Sequence, residues 1–119
     1  MSTTMTVEIR GLRLRAFHGL YPQERTVGNM FEVSASLTYP VAGGCEDMEI
    51  TDTISYADMA EIIRDEMSRP RDLLESVALA IRSRFADRWP RAVSGSVTVA
   101  KLTPPLGLQM QGASVTLRW

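Results

Sequence analysis

Between residues 31 and 39 the chain alternates without a fault: Phe31, Val33, Ala35, Leu37 and Tyr39 are apolar, while Glu32, Ser34, Ser36 and Thr38 are polar. Successive side chains on a strand point to opposite faces, so this spacing predicts a half-buried strand, ended by Pro40. Residues 5–17 alternate too, but the phase slips. Val7 and Ile9 fall on odd positions and Leu12, Leu14 and Ala16 on even ones, with Gly11 between them. Such a slip turns every later side chain to the wrong face unless one residue is absorbed, which marks Gly11 as a bulge. Two more strands close the chain. In 93–101, Val93, Val97 and Val99 alternate with Ser94, Ser96 and Thr98; in 113–119, Ala113, Val115, Leu117 and Trp119 alternate with Ser114, Thr116 and Arg118.

In the middle of the chain the period lengthens. Tyr56, Met59, Ala60, Ile63 and Met67 make a helical stripe, with Ser55 and Asp58 as a start signal and Pro70 as a stop. Leu74, Val77, Ala78, Ile81 and Phe85 make a second, with Asp72 as N-cap and Pro90 as terminator. Residues 18–29 and 40–54 read as loops, the second holding Gly43, Gly44 and the acids Glu46, Asp47, Glu49 and Asp52. The order β-β-α-α-β-β predicts an α+β fold over residues 1–119 as one domain, a four-stranded antiparallel sheet with two helices on one face. Such a sheet has two open edges, and a barrel can close only by joining several copies.

Composition removes several function classes. The 119 residues hold one Cys and one His, too few for a nitrogen/sulfur metal site within one chain or for an internal disulfide. A formal net charge of −1 and scattered arginines argue against nucleic acid. No apolar run approaches the roughly 20 residues of a membrane span and no secretory signal opens the chain, so a cytoplasmic location is expected.

Five ionisable residues interrupt the pattern, and each has a plain reading beside a chemical one. Lys101 ends the 93–101 strand on its apolar phase. A lysine facing apolar surroundings loses hydration of its charged form and can serve as a base; the plain outcome is an ammonium that snorkels to water. Glu24 is a loop carboxylate, and Tyr56 a half-buried helix tyrosine with a bonded hydroxyl. Glu75 completes capping-box spacing with Asp72, where a first-turn acid gains about 0.3–1 kcal/mol from the helix dipole. His18, between Phe17 and Gly19 at a strand end, would cap the turn and, neutral, hydrogen-bond backbone.

Taken together, His18-Gly19, Glu24-Arg25, Gly28 and Phe31, then Asp52-Thr53-Ile54-Ser55-Tyr56, Leu73-Leu74-Glu75, and Lys101 with Pro104-Pro105 stand in the order and spacing of the dihydroneopterin aldolases. The resemblance covers about Val7 to Arg118, and the element order is similar to that family's tunnelling fold. It implies an enzyme of folate biosynthesis that cleaves dihydroneopterin by a retro-aldol step to glycolaldehyde and 6-hydroxymethyl-dihydropterin. It implies no metal, no Schiff base and no cofactor. Glu75 would anchor the pterin ring, aided by backbone near Leu74 and at Thr53-Ile54; Lys101 would move the proton, Glu24 would bind side-chain hydroxyls, and Tyr56 would help protonate the enol. The family also implies a homo-oligomer, tetramer or octamer, with sites between subunits. Two alternatives stand beside the aldolase: an epimerase acting on dihydroneopterin or its triphosphate, for which Arg25 and Arg69 are candidate phosphate contacts, and a non-catalytic oligomeric binding module. Two segments depart from the family pattern, the acidic residues 43–51 and the apolar Leu106-Gly107-Leu108-Gln109-Met110.

Overall fold

The faultless alternation of residues 31–39 becomes an inner strand of the sheet. Phe31, Val33, Ala35, Leu37 and Tyr39 are all buried, and the polar residues between them form the opposite, partly exposed face. The computed structural model describes residues 3–41 and 53–119. Along the chain come β1 (Thr3–Ala16), α1 (Pro22–Thr26), β2 (Asn29–Val41), α2 (Tyr56–Met67), α3 (Leu74–Arg88), β3 (Ser94–Lys101) and β4 (Ala113–Arg118). The strands form one antiparallel sheet in the order β1-β2-β3-β4.

The slip in β1 is a bulge. Ile9 stands opposite Ala35 and Leu12 opposite Val33, so Arg10 and Gly11 share the place facing Ser34. Gly11 takes φ 65°, where a side chain would be strained, and its N–H donates to Ser34 Oγ at 3.0 Å. The extra residue is absorbed, and Leu12 and Leu14 return to the core side.

Helix α2 packs over β1 and against α3, which covers β3 and β4. Met59, Ile63 and Met67 from α2 and Val77, Ala78, Ile81 and Phe85 from α3 meet Phe31, Val33, Leu37, Val97 and Val99 of the sheet. Tyr56 departs from its expected place on this stripe: it is 67% exposed. The first turn of α2 projects past what packs on it, and burial begins only at Met59. Ser55 caps α2 as its sequence suggests, accepting from the Asp58 N–H at 3.3 Å. Asp72 does not cap α3. Leu73 holds that position without a side-chain cap, and Asp72 turns instead to Arg25.

The polar face of the sheet is laced by hydroxyl pairs: Thr6 with Thr38 at 2.7 Å, Ser36 with Ser96 at 2.8 Å and Thr98 with Thr116 at 2.8 Å. Among the described residues, no helix is long and apolar enough to cross a membrane. The acidic segment 43–51, Cys45 and Asp52 lie outside them.

Candidate functional site

Glu24 is a carboxylate that folding removes from water, at 5% exposure. The stretch 18–29, expected to be loop throughout, contains α1. Its signal is Tyr21-Pro22-Gln23-Glu24: Pro at the first helical position, where a missing N–H costs nothing, and Glu at the third, from which a carboxylate reaches back to the N-cap amide. Glu24 Oε1 accepts from the Tyr21 N–H at 3.4 Å, which aims its other oxygen away from the helix. That oxygen meets Lys101 Nζ in a direct ion pair.

Lys101 reaches it from the last residue of β3, opposite Phe31 on β2. Strand phase turns the lysine inward as its sequence predicts, and the ammonium does not snorkel: its side chain is 13% exposed, with Nζ 5.9 Å above the Phe31 ring. Isolated, either charge would be costly to bury; together they offset much of that cost. Gly19 makes room for the pair. Its φ of 145° lies outside the range side chains favour, and a Cβ there would fall on the Glu24 carboxylate.

The pair opens on a cavity of about 240 Å³ whose wall includes Gly19, Tyr21, Leu73, Leu74, Pro104 and Leu106. Asp72 and Glu75 also line it, so three carboxylates face one cation there. Glu75 sits in the first turn of α3, exposed, with no hydrogen bond or ion pair among the described residues. Because Asp72 is bound to Arg25 rather than capping α3, the capping-box account of Glu75 does not hold. Of the apolar segment 106–110, Leu106 lines the cavity, and Leu106, Leu108 and Met110 are exposed.

The remaining sequence candidates are not at this cavity. Thr53 is partly exposed, Ile54 is buried in the core at 3% exposure, and Tyr56 is exposed. Thr53 and Ser55 line a different depression, with Asp58, Arg88, Trp89 and Arg91. One chain therefore brings Glu24, Lys101, Leu74 and Glu75 together and leaves Thr53, Ile54 and Tyr56 elsewhere.

His18 lies directly behind the ion pair, fully buried. Its Nδ1 accepts from the Arg71 N–H at 3.0 Å, and its ring meets Phe31 edge-on. Burial first, then the positive charges of Arg71, Arg25 and Lys101, lower its pKa to about 4, so it is neutral at pH 7. The Arg71 side chain runs on to Glu66 at 2.9 Å, a carboxylate 3% exposed that Arg84 also holds at 3.0 Å. Burial pushes the Glu66 carboxyl up, but hydrogen bonds from Arg84 and Arg71 outweigh it and the net pKa is lowered.

This arrangement can be set beside known proteins. The family model described as FolB, dihydroneopterin aldolase, matches residues 7–118. The chain belongs to the dihydroneopterin aldolase family. Among its relatives, dihydroneopterin aldolase 1 of Arabidopsis thaliana is 33% identical over 96 residues, covering 78% of this chain and 64% of the relative. The chain thus spans less than two thirds of that relative's length. Its fold is similar to that of the E. coli dihydroneopterin aldolase in complex with neopterin: TM-score 0.82, 20% identity, with 97% of this chain and 98% of that one covered. A dihydroneopterin aldolase from Burkholderia thailendensis, solved bound to guanine, matches with TM-score 0.76 and 13% identity over 98% of this chain and 90% of that one. At these identities the two structures speak for the fold.

Sequence reasoning missed how the site is braced. Arg25 links the Gly19 carbonyl, at 3.2 Å from Nε, to the Asp72 carboxylate, and Arg71 bonds His18 and Glu66. Two of these contacts, Arg25 with Asp72 and Arg71 with His18, join residues 47 and 53 positions apart, and nothing in local periodicity reports them. Only α1 had a readable signal, the Pro and Glu of its first turn.

Proposed function

We propose that this chain catalyses the retro-aldol cleavage of 7,8-dihydroneopterin, without metal, Schiff base or cofactor, in the cytoplasm. One observation carries the reading: a buried lysine–carboxylate pair forms one part of a cavity whose wall also presents Glu75, a carboxylate without a partner among the described residues. Neopterin and guanine, the ligands of the two similar structures, share a 2-amino group beside a ring N–H. One carboxylate accepts both in a paired hydrogen bond, a task that falls to Glu75 with backbone near Leu74. Lys101, in the amine form left once its own proton has passed to solvent, then takes the proton of the 2′-hydroxyl, directly or through a water, while Glu24 holds the side-chain hydroxyls and the lysine. The C1′–C2′ bond breaks, its electron pair moves into the ring's C6=N5 imine, and glycolaldehyde leaves. Protonation of the enol at C1′, assisted by Tyr56, yields the hydroxymethyl product. The ring itself stores the electron pair, so no metal or amine sink is required.

Tyr56, Thr53 and Ile54 lie off this cavity, which supports a homo-oligomer, tetramer or octamer, in which a second copy supplies them. A triphosphate substrate is disfavoured, because the two candidate cations are committed: Arg25 to Asp72 and Gly19, Arg69 to Asp65 at 3.0 Å. The deciding assay incubates the purified protein with dihydroneopterin and a chelator. Glycolaldehyde should form, and monapterin-type product would mark the epimerase instead. Mixing inactive Lys101→Ala with inactive Tyr56→Phe should restore part of the activity if sites are shared, whereas a fully active monomer at micromolar concentration would exclude the shared site.

A further inference from the structure

His18 is the only histidine of the chain, is fully buried, and has no part in the chemistry proposed above. Its Nδ1 accepts from the Arg71 N–H at 3.0 Å, while the neighbouring Gly19 N–H donates to the Arg71 carbonyl at 3.0 Å. Two hydrogen bonds of opposite direction thus clamp one residue, 53 positions along the chain from His18. An Nδ1 that accepts carries no proton, so the neutral ring keeps its proton on Nε2. That nitrogen is buried and has no partner among the described residues, its ring edge lying against Phe31 with centroids 5.3 Å apart. A buried imidazole that forgoes one of its two hydrogen bonds is a costly way to fill space. A phenyl ring would fill it without that loss.

The two clamped segments carry different parts of the cavity. From His18 and Gly19 the chain runs directly into Tyr21 and Glu24; from Arg71 it runs into Leu73, Leu74 and Glu75. Arg71 is fixed from behind by Glu66. We propose that His18 is a positioning residue: its Nδ1 holds the Arg71–Glu75 segment in register with Glu24 and Lys101, so that a pterin seated on Glu75 presents its side chain to the lysine. This rests on the aldolase reading above. Proton transfer depends steeply on such placement, and a displacement of about 1 Å can cost on the order of a hundredfold in rate. The charged groups acting on the ring are Arg71 of its partner segment, Arg25 of α1 and Lys101 of β3. A proton added to Nδ1 would face the Arg71 N–H and break the clamp.

Two substitutions separate placement from packing. His18→Phe keeps a planar ring and removes the acceptor; His18→Asn puts its amide oxygen close to the place of Nδ1. Expected is a kcat loss of about tenfold or more in His18→Phe with KM changed less than about threefold, and recovery to within about threefold of the native rate in His18→Asn. In protein labelled with ¹⁵N-histidine, the one imidazole should show a bare Nδ1 and a protonated Nε2 at pH 7. The Arg71 amide should exchange faster with solvent in His18→Phe. A native kcat in folded His18→Phe, or a proton on Nδ1, overturns the proposal. If His18→Phe does not fold, His18→Gln takes its place: its amide reaches past the Nδ1 position, so a rate equal to that of His18→Asn overturns the clamp. If the native protein does not cleave dihydroneopterin at all, the nitrogen spectrum and the Arg71 amide still judge the clamp, and the two failures remain distinct.

Discussion

Glu24 and Glu66 are buried to nearly the same degree, at 5% and 3% exposure, and each meets positive charge, yet they stand in opposite situations. Glu66 has both oxygens held by guanidinium groups, Arg71 on one and Arg84 on the other, with Arg69 at 3.9 Å. Arginine does not surrender its proton in proteins, so nothing there can react. Glu24 has one lysine on one oxygen and a long backbone contact on the other, and both residues open on a cavity. A lysine can release a proton and the carboxylate keeps room for another ligand. Burial and ion pairing alone do not separate these two acids; saturation of their partners, and whether the partner can titrate, do.

The comparison is put at risk most severely at Lys101. Lys101→Ala should lower kcat by roughly 100-fold or more while pterin still binds, and Lys101→Arg should fail as well. Near-normal turnover in Lys101→Arg would make this pair as inert as the one at Glu66. Next in size is Glu75→Gln, which should weaken pterin binding roughly 30-fold, as expected for loss of a charged hydrogen-bond pair. Its thermal stability should stay within about 0.5 kcal/mol, since the native carboxylate bonds to none of the described residues and lies at the surface. Unchanged affinity in a calorimetric titration would remove it from the site.

Glu66→Gln reverses that pattern. It should cost about 2 kcal/mol in denaturant unfolding, because three arginines lose their shared charge, with kcat changed little. The native Glu66 carboxyl has a lowered pKa, so its contribution is present above its ordinary value of 4.5 and is lost as pH falls through the folded value. Unfolding below pH 4.5 should therefore be less pH-dependent in Glu66→Gln. A pH dependence of a different kind belongs to His18. The unfolded chain takes up its proton near 6.5 and the folded one only near 4, so stability should fall as pH drops across that interval, by at most about 1.4 kcal/mol per pH unit. His18→Asn should remove that slope, and unfolding curves at three or four pH values would show whether it does.

Much of this molecule was legible in its sequence, for identifiable reasons. The strands were readable because β2 is covered fully on one face and its alternation is undiluted, and the Gly11 bulge because a phase slip leaves few alternatives. Lys101 was readable because strand phase fixes where its side chain points. Tyr56 misled because a helical stripe does not say where packing stops. Asp72 misled because capping-box spacing is local, whereas the guanidinium that claims its carboxylate comes from Arg25. At His18 a backbone partner was legible but not which one: the Arg71 amide lies 53 residues away, and a backbone amide leaves no mark in a sequence.

The bulge in β1 bears on how growth stops. A flat outer strand exposes a regular row of amides and carbonyls, on which copies can add without end, as in fibrils. At Arg10 and Gly11 that row is interrupted, and a bulge of this kind bends and twists its strand. A newcomer must match the curvature or forfeit hydrogen bonds at the break. Open-ended addition of copies is therefore less favourable along such a border than along an unbroken strand, and the break sits at one glycine at φ 65°.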